Sequence, residues 1–247
     1  MPRSRVVVAS LASIVIGAVF LAIAGWGLAR ASSPDTPLVA TRIGTMTHIS
    51  DGVASRVPHV ALKLSTYPDA LDNKEFGGSS GAHPDWVAYS NSNLVVPAHS
   101  VVTITLSQYD SGEKLNNSYF GNVIGTLDGT ATLNGQSFTH VDPDHIGHTF
   151  TLRSLPSKGS QLFVSVPLPA ADGADSCDPA SPDNTICQTI GEGYYTKEPN
   201  VITFSFYVGD KGLYQWNCEY PCGGSRIGQF GEAMSSFGYM SGTLTVK

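Results

Sequence analysis

Charge is scarce in this 247-residue sequence: Asp, Glu, Lys and Arg make up 14% of it, and its 26 glycines and 15 prolines together outnumber them. That composition excludes a disordered polar tail or a charge-laced helical array and suits a β-rich globular domain. The little charge present is lopsided. Three of the 14 basic side chains (Arg3, Arg5 and Arg30) and none of the 20 acidic ones lie in the first 31 residues, so the rest is more acidic than the overall net −6 suggests. An acidic domain argues against nucleic acid as a partner. Enzyme signatures are missing too: there is no Gly-x-Ser-x-Gly elbow, no phosphate-binding glycine loop and no His-Glu-x-x-His. GGSSGAH around Ser79 is not followed by a helical pattern, and Glu75, Asp85 and Asp110 have no visible partner. The chain reads as a carrier or binding protein rather than an enzyme, with a hydrolase built from unmarked residues left open. No solenoid-type repeat is present. Cysteine occurs four times, and none of the seven histidines lies after His148.

What the sequence does have begins with an uncharged run from Val6 to Leu28, long enough to cross a bilayer as a helix. Its length favours an uncleaved signal anchor over residues 1–31. Ala29-Arg30-Ala31 nevertheless has the small-x-small form of a cleavage site, which would make the protein secreted. Arg3 and Arg5 before the run keep the N-terminus inside by the positive-inside rule. The expectation is a single-pass protein of the cell membrane whose bulk is extracytoplasmic.

Residues 32–56 show no sustained period and read as a tether. From Val57 to Lys247 strand patterns accumulate: VALKLSTY, the two apolar segments of WVAYSNSNLVVPAHSVVTITLSQYD, HTFTLRSL, NVITFSFYV and YMSGTLTVK. No amphipathic helical period interrupts them. Many short strands with turns between them predict one all-β domain, a sandwich or Greek-key barrel. Two stretches look inserted: residues 115–140, with a hairpin expected through Asp128-Gly129, and residues 154–199. Asn116-Asn117-Ser118 fits a glycosylation sequon to which no weight is given.

All four cysteines fall in the part expected outside the cytoplasm, where disulfides survive. Cys177 and Cys187 flank the polar loop DPASPDNTI, and pairing them closes a short ring that limits loop entropy. Further on, GLYQWNC alternates so that Tyr214, Trp216 and Cys218 share one strand face. Pro221, Cys222, Gly223 and Gly224 then bend the chain, and Met234 precedes the closing strand. Upstream, His148 opens HTFTL and would face this loop if the two strands are neighbours.

HTF at His148, GLYQWNC at Gly212–Cys218, Met234 and SGTLTVK together resemble the cupredoxins, as does the lead-in LVVPAHSVVTITL, with His99 where glycine is usual in that family. The resemblance spans about Val57–Lys247. The pair Cys218 and Cys222 in CEYPCG is similar to the dinuclear copper loop of cytochrome oxidase subunit II, with the glutamate one position early and Arg226 where the second histidine is expected. The resemblance implies copper as cofactor, with His148, Cys218, Cys222 and Met234 as ligands, and a redox protein as partner. A type 1 site needs two imidazoles and one thiolate, and neither that set nor the dinuclear one is complete along the motif.

Three readings of the loop stand. In the first, the four residues named bind copper as a nonstandard soft set suited to copper(I). In the second, His145 or His83 supplies the missing imidazole. In the third, Cys218 and Cys222 form a disulfide in a copper-free binding or structural module, with Arg226 in its favour. His48, His59, His99 and His140 read as solvated or surface residues, Met240 as core, and Tyr214 and Trp216 as packing beside the site. That subunit's two membrane helices against one here make an oxidase subunit proper the weaker fit.

Overall fold

The computed structural model describes residues 15–23, 36–50, 52–71, 83–112, 117–155, 158–177, 185–220, 222 and 232–247. Residues 15–23 are helical and exposed. Among the described residues no helix is long and apolar enough to cross a membrane. The remainder of the expected span, residues 6–14 and 24–28, lies outside the described residues, as do Arg226, Asn116 and Glu75.

Thr36–Lys247 forms a compact unit of its own. Its strands are β1 (Leu38–Val39), β2 (Thr41–Ser50), β3 (Val53–Tyr67), β4 (Ala88–Tyr89), β5 (Asn93–Val96), β6 (Ser100–Gln108), β7 (Ala131–Leu133) and β8 (Gln136–Phe138), followed by β9 (Ile146–Leu155), β10 (Lys158–Pro169), β11 (Cys187–Ile190), β12 (Gly193–Thr196), β13 (Asn200–Val208), β14 (Gly212–Asn217) and β15 (Ser241–Val246). One sheet runs β1-β5-β15-β14-β9-β10 and the other β2-β3-β6-β13-β7-β8, with β4 added on β3; β11 and β12 pair only with each other. Neither large sheet closes on itself, so of the two expected architectures this is an open sandwich and not a barrel.

Alternation builds the core. Val102, Ile104 and Leu106 of β6 and Ile202, Phe204, Phe206 and Val208 of β13 are buried, while the residues between them are half exposed. This is the period-2 pattern of strands with one apolar face. Phe150 of β9 meets Phe204 of β13 across the sandwich at 5.5 Å between ring centroids and stacks on Trp216 of β14 at 5.5 Å. His99, at the lead-in to β6, has φ 51°, the left-handed region that glycine adopts at no steric cost.

Three expectations change. The tether of residues 32–56 is largely strand, for β2 and the start of β3 form a long antiparallel ribbon. Nine of the ten side chains of β2 are exposed, so no burial period was there to be read. The second inserted stretch is shorter than residues 154–199, because β10 pairs along β9 in the large sheet; what stands apart is the small β11–β12 hairpin. It is tied back by the Cys177–Cys187 disulfide, as expected. The hairpin near residue 130 turns at Asn134-Gly135, between β7 and β8, and both residues have positive φ, as a tight primed turn requires. Asp128-Gly129 also has positive φ at both residues but joins no pair of strands; it forms a turn in which the Gly129 amide donates to the Thr126 carbonyl at 3.3 Å.

Candidate metal centre

β14 lies between β15 and β9, so the strand that leads to Cys218 is the neighbour of the strand that carries His148. Tyr214, Trp216 and Cys218 all point inward with no exposed surface. Cys218 is pinned as it leaves β14: its amide donates to the Met240 carbonyl at 2.9 Å. Its sulfur accepts from the Thr149 amide at 3.4 Å. The next residue, Glu219, receives Arg153 of β9 at 2.5 Å and donates its amide to Thr149 Oγ1 at 2.8 Å. The loop is therefore strapped to β9 at Thr149, the residue after His148, and at Arg153.

This registration brings three donor atoms together. His148 Nδ1 lies 3.0 Å from Cys222 Sγ and 3.8 Å from Cys218 Sγ, and the metal-ligating atoms of all three residues fall within 4.8 Å of one another. Each residue is buried. Cys218 and Cys222 carry thiols and are not joined to each other, so the disulfide of the third reading is not formed. The Tyr220 carbonyl also reaches this cluster, 3.4 Å from Cys218 Sγ. Met234 sits in the short helix Glu232–Ser235, half-buried against the same core, and Met240 is wholly core.

The other histidines stay away. His83 stacks on Trp86 at 3.7 Å, His145 is an exposed residue of a 3₁₀ turn, and His140 contacts Asn122 at 3.2 Å. Among the described residues, the group of His, Cys, Asp and Glu that converges as metal ligands is His148, Cys218 and Cys222. No second imidazole joins it.

Sequence reasoning missed Asp110. Its Oδ2 is 2.6 Å from His148 Nε2, and both side chains are buried, at 9% and 1% exposed. The carboxylate comes from just beyond β6, which lies in the opposite sheet. Burial penalises the His148 imidazolium, yet the hydrogen bonds to Asp110 and Cys218 and the charges of both outweigh it and raise its pKa from 6.5 to about 10. Burial likewise opposes ionisation of Cys218, but donors from Cys222, His148 and the Thr149 amide lower it to about 5. Asp110 is held below the ordinary carboxylate range: burial raises it, and the hydrogen bond and charge of His148 with the backbone amides of Gly112 and Ser111 more than reverse that. Without a metal the site is thus a buried line of carboxylate, imidazolium and thiolate. A buried ionic line is costly unless each member is paired, and each is paired here.

The donor chemistry suits a soft cation. Two cysteine sulfurs and one imidazole, all buried, favour copper(I), whereas type 1 copper needs one imidazole more. Cation binding would displace the shared proton from between His148 Nδ1 and the sulfurs, leaving Nε2–H on Asp110.

No protein-family model matches the chain, and no curated protein matches it. Among solved structures, auracyanin B is similar over 85% of this chain and 99% of its own, at 15% identity and a TM-score of 0.29. A likeness that loose carries no weight for fold or function, which rest on the strands and donor atoms described above.

Proposed function

We propose that this chain is a cupredoxin-like copper protein that passes single electrons, or holds copper, for a redox partner, with residues 6–28 anchoring it so that the domain is extracytoplasmic. The observation that carries this reading is the convergence of His148, Cys218 and Cys222, all buried, with their ligand atoms within 4.8 Å of one another. Met234 completes the set as a weak thioether. Copper, when bound, supplies one-electron chemistry between its two oxidation states. The chain's own residues do the rest. Thr149 and Met240 fix Cys218 through backbone hydrogen bonds. Tyr89, Phe150 and Trp216 pack together in the core beside β9 and β14, with Tyr89 4.7 Å from Trp216 between ring centroids and its hydroxyl donating to the Thr149 carbonyl at 3.0 Å. Close packing of this kind would limit the movement of ligands when copper changes oxidation state.

A second reading is favoured by the completeness of the metal-free network, in which Asp110, His148 and Cys218 satisfy one another. In that reading the fold is a copper-free binding module and the line of charges is structural. One experiment separates the two. The full-length protein, reduced and loaded with copper, is expected to bind metal stoichiometrically and to show thiolate-to-copper absorption that Cys218→Ser abolishes. A protein that stays metal-free after loading would sink the copper reading and leave the binding module.

A further inference from the structure

Asp110 is set against His148 by an arrangement that reaches beyond the two side chains. Gly112 has φ 65°, and a Cβ placed on it would lie 2.4 Å from the Cα and the carbonyl oxygen of Gly147. Side chains at this crossing would force the two segments apart, so two glycines allow the backbone just after Asp110 to touch the backbone just before His148. Gly147 is hemmed in as well: a Cβ there would lie 2.8 Å from Gln108 Nε2 and 3.1 Å from the Ser111 carbonyl. Two further backbone bonds close the crossing, from the Ala171 amide to the Asp110 carbonyl at 3.0 Å and from the Ala170 amide to the His145 carbonyl at 2.9 Å. The carboxylate is delivered to His148 Nε2 by contacts that do not involve the sulfurs at all.

We propose that Asp110 is the positioning residue of this centre: its carboxylate fixes the His148 ring with Nδ1 toward Cys218 and Cys222, and its fixed charge biases the site toward the higher oxidation state of copper. The inference rests on the copper reading for its second half only. The orientation follows from geometry, because an imidazole held at Nε2 can present only Nδ1 to the opposite side, and that is where both sulfurs lie. The bias follows from Coulomb's law in a poorly polarisable interior. Two cysteine sulfurs already supply negative charge to a bound cation, and a carboxylate behind the imidazole adds more. It stabilises copper(II) over copper(I), against the preference of the soft sulfur donors. A carboxylate behind a metal-bound histidine also orients the ring and raises its basicity.

Three variants separate the parts. Asp110→Asn keeps the shape and an acceptor oxygen but removes the charge, Asp110→Ala removes both, and Gly112→Ala leaves the carboxylate intact while pushing its segment off Gly147. In Asp110→Asn, copper(II) affinity is expected to fall by about 10–100-fold and copper(I) affinity by less, so the midpoint potential rises. Asp110→Ala is expected to weaken both ions. The second readout needs no metal: by nuclear magnetic resonance, the Nε2 proton of His148 in the metal-free protein exchanges slowly with water in the wild type and rapidly in Asp110→Ala and Gly112→Ala. If the wild type takes up no copper while this proton is protected, copper is lost and the hold of Asp110 on the ring stands. If all four proteins bind copper(I) and copper(II) alike, at one potential and with the same proton exchange, the assignment of Asp110 is overturned and copper binding survives.

Discussion

At the scale of single residues, two of the three shifted groups of the site, His148 and Cys218, act in opposite directions on stability, and their combination has a shape. His148, raised from 6.5 to about 10, contributes stability that is complete below pH 6.5 and is lost as pH rises through 10. Cys218, lowered from 9.0 to about 5, contributes stability that is complete above pH 9 and is lost as pH falls through 5. Between about 6.5 and 9 one gain offsets the other. Metal-free protein is therefore expected to show a plateau in urea midpoint across that window, with a decline on each side, and Cys218→Ala should remove the acid-side decline attributable to the thiolate. A midpoint whose acid limb is identical in wild type and variant would contradict the assignment. The same residues show what could be read without coordinates. Cys218, Cys222 and His148 were legible because strand alternation puts the first at a strand's end and the loop residues after it can go nowhere but across that end. Asp110 was not legible, since an acid after a strand is ordinary and its partner is set by which strand from the other sheet ends opposite it.

Secondary elements repeat the lesson with different causes. The inward alternation of β6, β13 and β15 was readable because each buries one face, whereas β9 is buried on both faces from Ile146 to Leu152. β2 was not readable, because a strand exposed on nearly every residue has no apolar period, and the register shift between Arg42 and Gly44 breaks what alternation remains. At the turns, Asp128-Gly129 and Asn134-Gly135 offered equal local chemistry, and the choice fell to β7, whose residues 132 and 133 pair with β13. One element-level dependence bears on the site. A Cβ on Gly242 of β15 would lie 2.1 Å from the Ser92 carbonyl and 2.5 Å from the Trp216 ring, so β15 packs flat against β14 only while that position is glycine. Gly242→Ala is expected to destabilise the protein by about 1–3 kcal/mol and to shift Trp216 fluorescence. Since Trp216 stands two residues before Cys218, the thiols should also become reactive to alkylation in the native state. Unchanged fluorescence and alkylation would show that β14 tolerates the added methyl group.

Across the whole molecule, the small β11–β12 hairpin has its own attachments: the Cys177–Cys187 bond, the Tyr195 hydroxyl donating to Asp69 at 2.6 Å and the tilted contact of the Tyr195 and Tyr67 rings, 4.7 Å between centroids. Breaking the disulfide by Cys177→Ser with Cys187→Ser should lower the free energy of opening this hairpin by about 2–3 kcal/mol. Hydrogen exchange should show the loss in β11 and β12 and leave β9 and β14 as protected as before. Equal loss in every strand would mean that the hairpin and the sandwich unfold as one. The centre itself depends on chain segments far apart, since His148 is 38 residues from Asp110 and 70 from Cys218. Contacts at such separations form late, after loop-closure entropy has been overcome. A partly made chain that ends before β14 would hold His148 without either cysteine. On the copper reading, capture of an ion by all three ligands at once would therefore report that β9 and β14 have come together.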